Sequence, residues 1–156
     1  MKLTRAVEPW LVDPVERFID EAAARLTLVM TPAGQVLAQH GFTRAVDVMA
    51  AAALGAAIVS STNEIARLVG EEKFTALNHQ GAQHGIFLGE FETPRGRLLS
   101  LVVYGPESSI GLVRLFFEDL ARDLAAACPR EATRGPVLAA DFERELDESL
   151  TSLFGR

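Results

Sequence analysis

Residues 45–69 constrain this chain more than any other segment. They include Met49-Ala50-Ala51-Ala52-Ala53-Leu54-Gly55-Ala56-Ala57-Ile58 and are apolar or small on nearly every side. A helix that is apolar all round must be covered on both sides, and a chain of 156 residues has too little material to cover it alone. The expected cover is a second copy or another protein. That points to a binding module and not to a catalyst.

The flanking sequence reads as a small α/β domain. Asp13-Pro14-Val15-Glu16 is a helix start, with Asp13 as cap and Glu16 at the capping-box position. Val15, Phe18, Ile19, Ala22 and Leu26 then fall on one stripe. Leu26-Thr27-Leu28-Val29-Met30 is a buried strand, Thr31-Pro32-Ala33-Gly34 a turn, and residues 35–40 the returning hairpin strand. The long helix runs from about Thr43 to Gly70. Its bulky Leu54, Ile58, Ile65, Leu68 and Val69 are expected to pack on a sheet, leaving Ala52, Ala56, Ser60, Asn63 and Arg67 as a contact face.

Three strands follow. Residues 73–78 have mixed polarity and read as an edge strand. Residues 85–88 and 98–104 are stronger, and Leu98-Leu99-Ser100-Leu101-Val102-Val103 hardly alternates, as a strand covered on both faces should. Ser108-Ser109 read as caps of a helix carrying Val113, Phe116, Phe117, Leu120 and Leu124 on one stripe. Residues 1–128 thus form the domain, 129–138 a linker with Pro129, Gly135 and Pro136, and 139–156 an amphipathic tail helix. In that tail Phe142, Leu146, Leu150 and Leu153 line one side and need a groove, on the same domain or on a partner.

Composition narrows the partners. With 49% hydrophobic and 23% charged residues the chain is neither disordered nor collagen-like. A net charge of −6 argues against nucleic acid or an anionic membrane. The single Cys128 excludes an internal disulfide and suits a reducing compartment. The longest apolar run, residues 48–60, is followed by Asn63, Glu64 and Arg67, so no bilayer span is expected. The N-terminus carries Lys2 and Arg5, then Glu8 and Asp13, with no apolar signal core. A cytoplasmic protein without membrane insertion is the expectation.

Motifs for catalysis are missing. Neither Lys2 nor Lys73 sits in a phosphate-binding loop, and there is no G-x-G-x-x-G after a strand and no G-x-S-x-G elbow. His79 and His84 flank Gly81, but with only His40 and a distant cysteine besides, they complete no zinc set. Arg95 and Arg97 at a hairpin tip are read as a solvated turn in preference to an inserted arginine finger. No catalytic residue, metal or cofactor is expected.

The order helix, two strands, long helix, three strands, helix resembles the Roadblock / dynein light chain superfamily. Met30-Thr31-Pro32-Ala33-Gly34-Gln35-Val36-Leu37-Ala38 resembles its first hairpin, Ile65-Ala66-Arg67-Leu68-Val69-Gly70-Glu71 the end of its second helix, and Ile110-Gly111-Leu112-Val113-Arg114-Leu115 the start of its third. Within it the chain is most similar to bacterial MglB-type proteins of gliding and polarity control. That likeness rests on Val69-Gly70-Glu71-Glu72-Lys73-Phe74, His79-Gln80-Gly81, the Glu8-Pro9 segment and the Leu-rich acidic tail.

The resemblance implies an α+β sandwich: a five-stranded antiparallel sheet in order 2-1-5-4-3, the second helix on one face and the others opposite. It implies a homodimer joined through third strands, here Lys73, Phe74, Thr75, Ala76, Leu77 and Asn78, with second helices side by side. It implies binding of a small Ras-like GTPase of the MglA type through Ala52, Ala56, Ser60, Asn63 and Arg67. Hydrolysis would be stimulated by ordering the GTPase's own groups, with no arginine supplied. On that mapping Ala56→Arg leaves the fold intact and abolishes binding. The alternatives are an adaptor of the same fold that does not accelerate hydrolysis, and a small-molecule sensor, which needs convergent polar pocket groups that these strands hardly offer.

Overall fold

The structure, a computed structural model, describes residues 4–72, 74–130, 144 and 148. A short strand β1 (Thr4–Ala6) leads through a 3-10 turn (Pro9–Leu11) into α1 (Val12–Ala22). The helix therefore begins earlier than the sequence suggested. Leu11 is its N-cap and makes no side-chain cap bond, so Asp13 lies inside the first turn and is not the cap. There its charge still faces the positive end of the helix. Val15, Phe18, Ile19 and Ala22 are buried as the stripe required, while Leu26 opens the next strand.

The hairpin β2 (Leu26–Met30) and β3 (Val36–His40) closes through Thr31 and Gly34, whose amide donates to the Thr31 carbonyl at 2.9 Å. Gly34 adopts φ +89, which a side chain would strain. α2 (Ala45–Leu68) follows and stops at Gly70, φ +80, where the Glu71 amide reaches back to the Ala66 carbonyl at 2.9 Å. The meander β4 (Ala76–Gln80), β5 (Gly85–Thr93) and β6 (Gly96–Tyr104) then leads to α3 (Ile110–Ala127). Ser109 caps α3, accepting from the Leu112 amide at 3.2 Å, and Ser108 donates to the Ala22 carbonyl.

The strands form one antiparallel sheet in the order β1-β3-β2-β6-β5-β4. Five of them reproduce the expected arrangement; β1, paired to β3 from Thr4↔His40 to Ala6↔Ala38, adds a sixth at the margin. The fold class is α+β, as expected. β6 lies centrally between β2 and β5, with Leu98 to Val102 buried, which is why its sequence does not alternate.

Two cores flank the sheet. α1 and α3 cover one face, where Phe117 meets Phe87 and Phe91 edge to face at ring distances of 5.0 and 5.9 Å. Gly89 makes room for that ring, since a Cβ there would stand 2.5 Å from it. α2 covers the other face over Leu28, Met30, Leu88, Leu99 and Leu101.

One further expectation changes, and one falls outside the described residues. α2 is long and apolar enough to cross a membrane by length and composition, contrary to the reading of its shorter apolar run. The linker 129–138 and the tail helix 139–156 lie outside the described residues except Pro129, Arg130, Arg144 and Glu148.

Candidate interaction surface

The main correction concerns which way α2 faces. Ala52, Gly55, Ala56 and Ala66 are buried against the sheet, whereas Leu54 is 66%, Ile65 54% and Leu68 85% exposed. Ile58 and Val69 are exposed as well. The bulky side expected on the sheet is the outer side, and two of the five expected contact residues, Ala52 and Ala56, lie beneath the helix. The cause is steric. Small residues let the helix axis approach the large aliphatics that the sheet supplies: a Cβ at Gly55 would already stand 2.8 Å from Met30 Cε.

The outer face has two parts. On a 3.6-residue period Ala50, Ala53 and Ala57 form a small, exposed crest, continued by Ser61 and Glu64 and bounded at its two ends by the exposed Val46 and Leu68. Of the expected contact residues, Ser60 and Arg67 are exposed beside this crest; Arg67 pairs with Glu64 at 2.8 Å. Leu54, Ile58 and Ile65 fall on the flank nearer Thr62, which lines a narrow cleft against β4 with Phe74 and Leu77. Asn63 is half-buried and donates to Glu90 Oε1 at 3.0 Å, so its amide ties the helix to the sheet. The Glu90 side chain is only 4% exposed, with Arg97 at 3.8 Å supplying a counter-charge.

Among the described residues β4 is the edge strand on this side. It starts three residues later than expected: Ala76, Leu77 and Asn78 are in the strand, Phe74 and Thr75 precede it, and Lys73 lies outside the described residues. Its register is set by the turn in which the Gly81 amide donates to the His84 carbonyl at 2.8 Å, pairing Gln80 with Gly85. Polar Asn78, His79 and Gln80 are tolerated because an edge strand faces solvent. Tyr104 anchors this end, its hydroxyl 2.8 Å from Asn78 Oδ1 and 3.1 Å from Gln80 Oε1.

Other polar groups have structural partners. Arg95 donates to Glu8 at 2.6 Å, and Trp10 Nε1 donates to the same carboxylate at 2.8 Å, so the hairpin tip fastens the N-terminal segment. Arg25 grips Glu107 at 2.6 and 3.0 Å, and that hydrogen bonding holds the carboxyl below the ordinary glutamate value of 4.5. His84 Nε2 lies 2.8 Å from Arg25, and His40 Nδ1 lies 2.6 Å from the Thr4 hydroxyl. No group of three metal-binding side chains occurs among the described residues. Cys128 is buried at the end of α3.

The sequence matches no protein-family model and no curated protein. Solved structures do match. MglB from Myxococcus xanthus superposes with a TM-score of 0.68 at 24% identity, over 77% of this chain and 95% of that one. An MglB with a tetrameric arrangement gives 0.67 at 27% identity, over 75% and 86%. A Roadblock/LC7 domain from Streptomyces avermitilis gives 0.63 at 14% identity, over 75% and 93%. The chain has a Roadblock superfamily fold, close to that of MglB.

Proposed function

We propose that this protein is a homodimeric regulator that binds a small Ras-like GTPase in the cytoplasm and stimulates GTP hydrolysis by ordering the GTPase's own catalytic groups. The observation that carries the reading is an apolar helix flank continuous with a free strand edge. Leu54, Ile58 and Ile65 stand exposed beside the cleft that leads to β4. A second copy related by a two-fold axis covers both at once, pairing β4 with β4 and α2 with α2. Phe74, Thr75, Ala76, Leu77 and Asn78, with Lys73, then lie at or next to the join. The MglB solved as a tetramer is an oligomer of the same fold, which agrees with self-association.

Pairing the flanks leaves the crests side by side as a platform of small side chains. Ala50, Ala53 and Ala57, with Ser60 and Arg67, take the role first assigned to Ala52, Ala56, Ser60, Asn63 and Arg67. Small residues permit close approach to a switch loop, and Arg67 offers charge to an acidic group. The activator contributes no cofactor and no catalytic side chain. Intrinsic turnover of such GTPases is on the order of 10⁻⁴ s⁻¹, so fixing the water-positioning group is enough to be read as acceleration.

The test is single-turnover GTP hydrolysis by the cognate GTPase with and without this protein. Acceleration that disappears in Ala57→Arg, while sedimentation still reports the dimer, supports the reading. Binding without acceleration leaves an adaptor, and no binding removes the GTPase reading.

A further inference from the structure

A groove of about 370 Å³ lies beside the N-terminal half of α2, on the side away from β4. Leu37 and Gln39 of β3 with Arg5 of β1 form its floor, and Val48 and Met49 form its wall. It exists because one face of the sheet is under-covered. Six strands at ~4.8 Å spacing make a sheet about 24 Å wide, and a helix with its side chains is about 10–12 Å across. α1 and α3 together cover one face; α2 alone covers the other. α2 packs over β3, β2 and β6, so uncovered width remains on both sides of it, part of it at the margin that β1 extends.

We propose that this groove is the docking site of the chain's own C-terminal segment, residues 141–156. That segment sets Phe142, Leu146, Leu150 and Leu153 at helical spacing, and the described residues within it, Arg144 and Glu148, are helical. At helical rise sixteen residues would span about 24 Å, enough to run beside the N-terminal half of α2. Charge agrees with this assignment. The segment carries Asp141, Glu143, Glu145, Asp147 and Glu148 against Arg144 and Arg156. Arg5 and Arg44 line the groove and no carboxylate does, although Asp47 stands 3.8 Å from Arg44 behind the rim.

The chain's path also permits it. α3 runs antiparallel to α1, since Ser108 meets Ala22 at one end and Arg17 pairs with Asp123 towards the other at 2.7 Å. α3 therefore ends beside the turn Pro9–Leu11, close to Val7, which lines the groove. Residues 129–140 reach about 40 Å when extended, enough to round the sheet margin. Met49 is both groove wall and an exposed residue of α2, so docking alters the helix surface that the proposed function uses. The groove argument does not depend on that function.

A nitroxide on Ser152→Cys, in full-length protein carrying Cys128→Ala, tests the placement by methyl line broadening. Val36, Val48 and Met49 are expected to lose most of their intensity while Leu54, Ile65 and Leu68 keep theirs. Adding Leu146→Asp with Leu150→Asp is expected to restore it. Broadening confined to Leu54, Ile65 and Leu68, or none anywhere, overturns the assignment. So does groove broadening that needs a spin-labelled copy mixed with an isotope-labelled one, because the tail then comes from the second molecule. Hydrogen exchange of the natural sequence against Leu146→Asp with Leu150→Asp gives a second reading free of the cysteine change. Several-fold faster exchange in β3 and the first turns of α2 is expected, and unchanged rates there overturn the proposal.

Discussion

Replacing Ala52 and Ala53 separately by leucine tests the facing of α2 most directly, because the two positions are adjacent and the chemical change is the same. Ala52 is 1% exposed and packs among Leu28, Met30, Leu88, Leu99 and Leu101. Three added carbons must displace those side chains or lift the helix. Overpacking of this kind costs ~1–3 kcal/mol. The tightness is independently visible one turn on, where a Cβ at Gly55 would stand 2.8 Å from Met30 Cε. Ala53 points outward, where a leucine changes stability by no more than ~0.5 kcal/mol and helix propensity hardly differs. For a chain of this size 1 kcal/mol moves Tm by roughly 2–4 °C, so Ala52→Leu lowers it by roughly 2–12 °C and Ala53→Leu by under about 2 °C. Urea and thermal unfolding should be run at two protein concentrations, because a dimer's apparent stability depends on concentration and any effect of Ala53→Leu on pairing will show as such a dependence. Equal midpoints for the two variants, or Ala53→Leu the less stable at every concentration, would refute the facing.

Three other outcomes follow from single contacts. Tyr104→Phe removes the hydroxyl beside Asn78 and Gln80 and should cost ~0.5–1.5 kcal/mol, with faster amide exchange concentrated in β4. Gly89→Ala places a Cβ 2.5 Å from the Phe117 ring, a rigid neighbour, and should cost ~1–3 kcal/mol in a denaturant titration; an unchanged midpoint would show that the ring has room to move. Because hydrogen bonding from Arg25 depresses the Glu107 pKa, the stabilisation it brings is present above the ordinary value of 4.5 and is lost as pH falls through the lower folded value. A carboxyl titration should place Glu107 below 4.5 and return it towards 4.5 in Arg25→Ala, flattening that part of the acid limb.

Much of the fold was legible because local chemistry and burial agreed. The turn at Thr31–Gly34, the non-alternating Leu98–Val103 and the Ser109 cap each have one reading, and each stands where it was expected. β1 was not legible, because three residues carry no periodicity and its existence depends on pairing with β3. The start of β4 was misjudged because a hairpin register is set by the turn at Gly81–His84, not by the polarity of the strand. The phase of α2 was misread for a different reason. With apolar residues on all sides, bulk is a poor guide to direction, and the rule that large residues face the core fails when the sheet already supplies the leucines. The charges held the answer. Asp47, Glu64 and Arg67 all fall on the half of the helix opposite Val48, Ala52, Gly55, Val59 and Ala66, and charged groups leave the core first. Weighting those three over the alanines turns the helix the right way.

That corrected phase separates two jobs on one helix by residue size. A contact that joins copies for the life of the protein gains from large aliphatic groups, each worth ~1.5–3 kcal/mol when fully buried. Leu54, Ile58 and Ile65 supply them on the flank nearest β4. A contact that must form and release with a nucleotide cycle is better served by small groups, which set shape without adding much buried area. Ala50, Ala53 and Ala57 supply those on the crest. Among the described residues the sheet's other edge is β1, where three residues are in the strand and so offer few main-chain groups for pairing. β4 is five residues long and has the aliphatic flank next to it, so pairing there covers polar backbone and apolar side chains in one step. In the proposed assembly the β1 margin stays free for the acidic tail, and the three surfaces of α2 (sheet, second copy and GTPase) do not compete. Moving the helix by one residue would mix them, placing Leu54 under the helix and Ala53 on the flank.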